Sequence, residues 1–118
     1  MTFPQGVIYN DRKYKQRSKR NKLTRVTIIE GSPERIDESI SLTRERVIPQ
    51  AKKMQGFKGT YLLVDRKAGN TMAVTLWETK ADLQASTEAA NRLRAQATQA
   101  AAATQRPKVN IYEVAVRP

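Results

Sequence analysis

Few side chains in this 118-residue chain can do chemistry, and two absences narrow the field at once. There is no cysteine and no histidine. The missing thiols remove disulfides, thiolate nucleophiles and thiolate metal sites. The missing imidazoles remove Ser-His and Cys-His nucleophile systems, a proximal haem histidine, and histidine-based zinc or non-haem iron sites. Four polar candidates remain that could face a pocket: Tyr61 and Tyr112 on strand-like segments, and Asn91 and Arg92 in the middle of a helix-like one. Trp77 is the single tryptophan, a residue type that anchors cores and interfaces. Glu30, Asp65, Glu78 and Glu113 fall near strand ends with no paired-carboxylate or metal-ligand spacing, and Glu34, Asp37 and Glu38 suit the first turns of a helix through its dipole. No metal and no cofactor is expected.

A second kind of chemistry lies at the N-terminus. Arg12, Lys13, Lys15, Arg17, Lys19, Arg20 and Lys22 stand against one acid, Asp11, which is over half of the chain's net charge of +11. Residues 1–22 keep neither a helical nor an alternating period, so they read as an extended basic arm. With its interspersed tyrosines such an arm can contact nucleic acid or another acidic partner through phosphates and stacking. It can equally be a solubilising tail, or pack on a partner subunit.

The elements that must position these residues are marked by composition. Leu23 to Glu30 is rich in β-branched residues and stops at Gly31, a strand. Ser32, Pro33 and Glu34 supply an N-cap, a proline at the first helical position and an acid in the first turn. The helix they open keeps Ile36, Ile40, Val47, Ala51 and Met54 on one face and ends at Gly56, with a kink or short second segment expected after Ile48 because Pro49 cannot donate to the carbonyl of Glu45. Phe57 to Arg66 and Thr71 to Glu78 form a hairpin around a Gly/Asn turn. Thr79 and Asp82 cap a second helix running to about Thr104, with Leu83, Ala90, Leu93, Ala97 and Ala100 inward and small enough to let it approach the sheet. Val109 to Val116 is the last strand.

The order β-α-β-β-α-β is that of an α+β, ferredoxin-like domain over residues 23–118: an antiparallel sheet with two helices on one face. The strands do not alternate cleanly between apolar and polar, so both faces of the sheet should be buried, most economically against a twofold mate in a homodimer. No run approaches the roughly 20 apolar residues of a membrane span, and a cytoplasmic protein is expected.

Several short motifs in this order, namely Ser32-Pro33-Glu34-Arg35, the late Pro49, Gly56-Phe57-Lys58-Gly59, Leu63-Val64-Asp65-Arg66 and Thr75-Leu76-Trp77-Glu78-Thr79 before Asp82-Leu83, resemble the antibiotic-biosynthesis monooxygenase-like family of dimeric α/β barrels. The resemblance covers about Leu23 to Val116. It implies that Trp77 lines a pocket between sheet and helices as a catalytic candidate; Tyr61, Asn91, Arg92 and Tyr112, singled out above by their positions, are then the substrate-binding candidates. Haem-degrading relatives place a histidine on the second helix, and this chain has none. Polyketide-oxidising relatives carry an asparagine shortly before the tryptophan, where this chain has Ala73 and Thr75. The activity implied is a cofactor-independent oxygenation of a small aromatic or quinone-type molecule. The alternative is a non-catalytic dimeric module whose basic arm engages an acidic partner or nucleic acid.

Overall fold

The computed structural model describes residues 22–118. The six arm cations from Arg12 to Arg20 lie outside the described residues, and Lys22 lies at their edge.

Four strands, β1 (Leu23–Glu30), β2 (Phe57–Asp65), β3 (Asn70–Trp77) and β4 (Lys108–Glu113), form one antiparallel sheet in the order β2-β3-β1-β4. The two β-branched runs at the centre, β1 and β3, pair along their full length from Leu23 opposite Trp77 to Glu30 opposite Asn70. The last strand stops at Glu113 rather than Val116, because β1 begins at Leu23, opposite Glu113, and Val114 makes one further rung by donating to the Lys22 carbonyl at 2.8 Å.

The first helical region is continuous in path and varied in winding. A 3₁₀ turn (Pro33–Arg35) leads into α1 (Ile36–Leu42), then a π-helical stretch (Thr43–Val47), then α2 (Ile48–Ala51). Ser32 has the extended backbone of an N-cap, but its hydroxyl bonds the Glu34 carboxylate rather than a backbone N–H. The irregularity expected from Pro49 takes the form of the π turn: the N–H of Ile48 donates to Thr43, so the ladder widens just before the residue that cannot donate.

The second helix divides at Ser86 into α3 (Lys80–Ala85) and α4 (Thr87–Ala100). Thr79 caps α3 as its sequence indicates, accepting from the Asp82 N–H at 3.0 Å. The helix ends at Ala100 instead of near Thr104. Ala102 takes a left-handed φ of 54°, the N–H groups of Ala102 and Ala103 bond back to Gln99 and Thr98, and the Ala101 carbonyl accepts from Ser32. Close helix approach occurs here, where a side chain on Gly31 would collide with Ala101. In the hairpin turn, Gly69 has a φ of +84° and packs against Pro33, which leaves no space for a side chain.

All helices cover one face of the sheet. Strand parity and pairing put Arg25, Thr27, Thr60, Thr71, Ala73 and Thr75 on that covered face, and put Val26, Ile28, Tyr61, Leu63, Met72, Val74 and Leu76 on the open one. Ile29, Leu62 and Trp77 share the covered face, but between them the sheet offers mostly small or polar side chains to the helices. Tyr61 (64% exposed), Leu63 and Tyr112 (54%) are the most exposed of the open outer face, which no element among the described residues covers. Among the described residues no helix is long and apolar enough to cross a membrane.

Candidate functional site

The consequence of this distribution is a cavity. Ile29, Ile36, Leu83, Leu93 and Trp77 are buried between the layers, but around them the sheet offers threonines and alanine while the helices offer Ser39, Thr43, Ala90 and Ala97. Small residues on both sides leave a space of about 100 Å³. That is room for several waters or a small organic ring. The alanines of α4 therefore line a void here instead of closing the helix onto the sheet. The π turn contributes its first and last residues, Thr43 and Val47, to the wall.

Trp77 closes one end of the cavity. It is 2% exposed, sits at the last position of β3, and meets Phe57 edge to face at 5.8 Å between ring centroids. Its Nε1–H is buried with no hydrogen-bond partner among the described residues. The floor carries a hydroxyl pair, Thr60 and Thr75, 3.1 Å apart across the β2–β3 pairing, with Thr60 also bonding the Val74 carbonyl at 3.2 Å.

Two arginines complete the site. Arg25 rises from β1 and is only 6% exposed; its Nη1 donates to Ser86 Oγ at 3.1 Å, and its Nη2 to the Leu83 carbonyl at 3.0 Å and Thr87 Oγ1 at 3.4 Å. The break between α3 and α4 makes this possible, since it exposes the Leu83 carbonyl and the Ser86 and Thr87 hydroxyls to the strand beneath. Arg94 descends from α4; its Nη1 donates to Asn91 Oδ1 at 2.7 Å, and its Nε–H is buried without a partner. Burial lowers the pKa of both guanidinium groups, and the charge of Arg94 adds to the effect on Arg25. Every hydrogen-bond partner of the pair among the described residues is neutral. Among the described residues no acid lines the cavity, and neither arginine has a carboxylate within ion-pair distance.

Of the residues singled out from sequence, Trp77 lies on this cavity. Asn91 and Arg92 are exposed on the outer side of α4, and Asn91 reaches the site only through its bond to Arg94. Tyr61 and Tyr112 are on the opposite face of the sheet, because Tyr61 pairs with Val74 and Tyr112 with Thr24, both of outward parity. Lys22 pairs with Glu78 at 3.6 Å and does not line the cavity. Arg25 and Arg94 are the functional candidates that sequence reasoning misses. The signal for Arg94 was present: it follows Ala90 by four residues, on the face already assigned inward.

No protein-family model matches the sequence. Among curated proteins, the uncharacterized protein Rv2557 of Mycobacterium tuberculosis is 35% identical over 91 residues, which is 77% of this chain and 40% of that protein. The chain thus spans less than half the length of the curated relative it matches. Among solved structures, the monooxygenase from the gene ActVA-Orf6 of Streptomyces coelicolor, in complex with nanaomycin D, superposes with a TM-score of 0.69 at 15% identity, covering 84% of this chain and 94% of that one. SnoaB, a cofactor-independent oxygenase from Streptomyces nogalater, superposes with a TM-score of 0.61 at 18% identity, covering 81% and 95%. The strand order, the helices on a single face and these superpositions agree with the resemblance carried by the short motifs: this chain has the ferredoxin-like fold of the antibiotic biosynthesis monooxygenases.

Proposed function

We propose that the chain is a monooxygenase-like enzyme that oxidises a small aromatic or quinone-type molecule in the cavity between sheet and helices, without metal or flavin. The observation that carries this reading is the convergence of Trp77, Arg25 and Arg94 on one largely apolar cavity that no acid among the described residues lines. Such a site lacks a carboxylate or imidazole base. It can instead favour the ionised form of a phenol, because two guanidinium charges in a low-dielectric space stabilise a nearby anion.

A phenolate can supply all the electrons the reaction needs. A ring C–H becomes one carbonyl, the phenolic C–O becomes the other, one atom of dioxygen enters the ring and the second leaves as water with the two hydrogens released. The protein's part is to hold the ring against Trp77, stabilise the anion and keep bulk water away. The fold shared with oxygenases is consistent with this chemistry, and the apolar outer sheet face supports a homodimer as the working form.

Oxygen uptake by the purified chain with a panel of naphthols and hydroquinones tests the reading. Turnover with incorporation of isotope from labelled dioxygen into a quinone product is expected, and it should weaken in Trp77→Phe. Absence of uptake across the panel would leave a non-catalytic binding module as the better account.

A further inference from the structure

Buried arginines ordinarily answer to carboxylates. A guanidinium removed from water without an opposite charge is costly, which is why charges of this kind are paired when the pairing is structural. Buried Arg25 breaks that rule among the described residues, and half-buried Arg94, whose Nε is itself buried, stands on the same cavity within electrostatic reach of it. Arg25 is held rigidly by three neutral oxygens, which satisfy hydrogens but supply no charge. Arg94 leaves its Nε–H unbonded, and Trp77 leaves its Nε1–H unbonded at the same cavity. Among the described residues the site therefore presents two positive charges and two orphan donors, with nothing anionic to receive them.

We infer that the cavity takes an aromatic carboxylate, whose charge lies between Arg25 and Arg94 and whose ring lies against Trp77. This rests on the reading of the cavity as the ligand site, and deepens it by naming an anionic group that strengthens the ligand's binding there. A carboxylate fits better than a phenol alone for two reasons. Its two coplanar oxygens match the fork of a guanidinium, whereas a phenol offers one oxygen. It is also ionised throughout the neutral range, whereas an ordinary phenol titrates near 10 and must first be deprotonated. The apolar remainder of the lining, with Ile29, Leu62 and Leu93 among it, suits a ring rather than a free inorganic anion.

Trp77 is the only tryptophan, so its emission reports binding directly. The probes are 4-nitrobenzoate and 4-nitrobenzamide, which are nearly equal in size and differ in charge. The expected result is that the acid quenches with an affinity at least about tenfold higher than the amide, since hydrogen bonds to a charged group are worth appreciably more than neutral ones. Arg94→Met, which keeps the side-chain stem, should bring the two within about twofold of each other while circular dichroism remains that of the parent. Equal affinities in the parent chain, a measurement that needs no variant to fold, would overturn the proposal, as would an acid preference that survives in folded Arg94→Met. Parallel oxygen uptake with 1-naphthol separates this inference from the enzymatic reading. An Arg94-dependent acid preference without turnover removes the oxygenase and keeps the carboxylate site, whereas turnover without the preference does the reverse.

Discussion

Arg25 and Arg94 reach one cavity from opposite layers, the first from the central strand beneath and the second from the long helix above, and the charge of Arg94 makes ionisation of Arg25 harder. Folding alone gives no reason to bring them together. Two like charges in a poorly solvated space destabilise the empty protein, and local rules broken in this way are characteristic of ligand sites.

Trp77 is both wall and core, and substitutions separate the roles. Trp77→Ala should destabilise the domain by about 3 to 5 kcal/mol, because it removes the largest buried ring and its contact with Phe57. Trp77→Phe should keep most of that stability and lose ligand affinity, since a phenyl ring cannot donate the hydrogen bond that Nε1 holds in reserve. Chemical denaturation alongside ligand titration checks both. Equal loss of stability and binding in the two variants would make the residue purely structural.

The outer sheet face predicts association. Val74 sits at its centre, paired with Val26 on one side and Tyr61 on the other. Light scattering should give the mass of a dimer for the parent chain at micromolar concentration. Val74→Asp should give a folded monomer or an unfolded chain, since a carboxylate cannot be buried unpaired in such an interface. A parent chain that is monomeric would remove the dimer.

Much of this architecture was legible from the residues. β-Branched runs mark the strands, Thr79 announces its cap, and Pro49 announces the irregular winding that becomes the π turn at Thr43–Val47. The outward parity of Tyr61 and Tyr112 was not legible, because apolar residues on both faces hide which face the helices cover. Arg25 was hidden in the same way, as one polar residue in a β-branched run. Its acceptors arise from the break at Ser86, which involves neither Gly nor Pro. Arg94 was masked by the general expectation that a charged helix residue faces water.

Ala102 provides an independent check of the helix terminus. Its left-handed φ of 54° disfavours any side chain, while glycine adopts it freely. Ala102→Gly should therefore raise stability by about 0.5 to 1 kcal/mol, visible as a higher melting temperature, although glycine is ordinarily destabilising. A lower melting temperature would contradict this helix ending.

The central claim is that chemistry takes place in the space between sheet and helices, and filling that space tests it most directly. Ala73 lies on the cavity floor, between Leu62 and Thr27 in the sheet. Ala73→Leu should occupy much of the volume without displacing packed neighbours, so the melting temperature should hold or rise. Oxygen uptake with whichever phenol the parent chain oxidises should then fall at least about tenfold, as expected when a ligand is sterically excluded for more than about 1.4 kcal/mol. Undiminished turnover in a folded Ala73→Leu protein would contradict the account and place the reaction elsewhere.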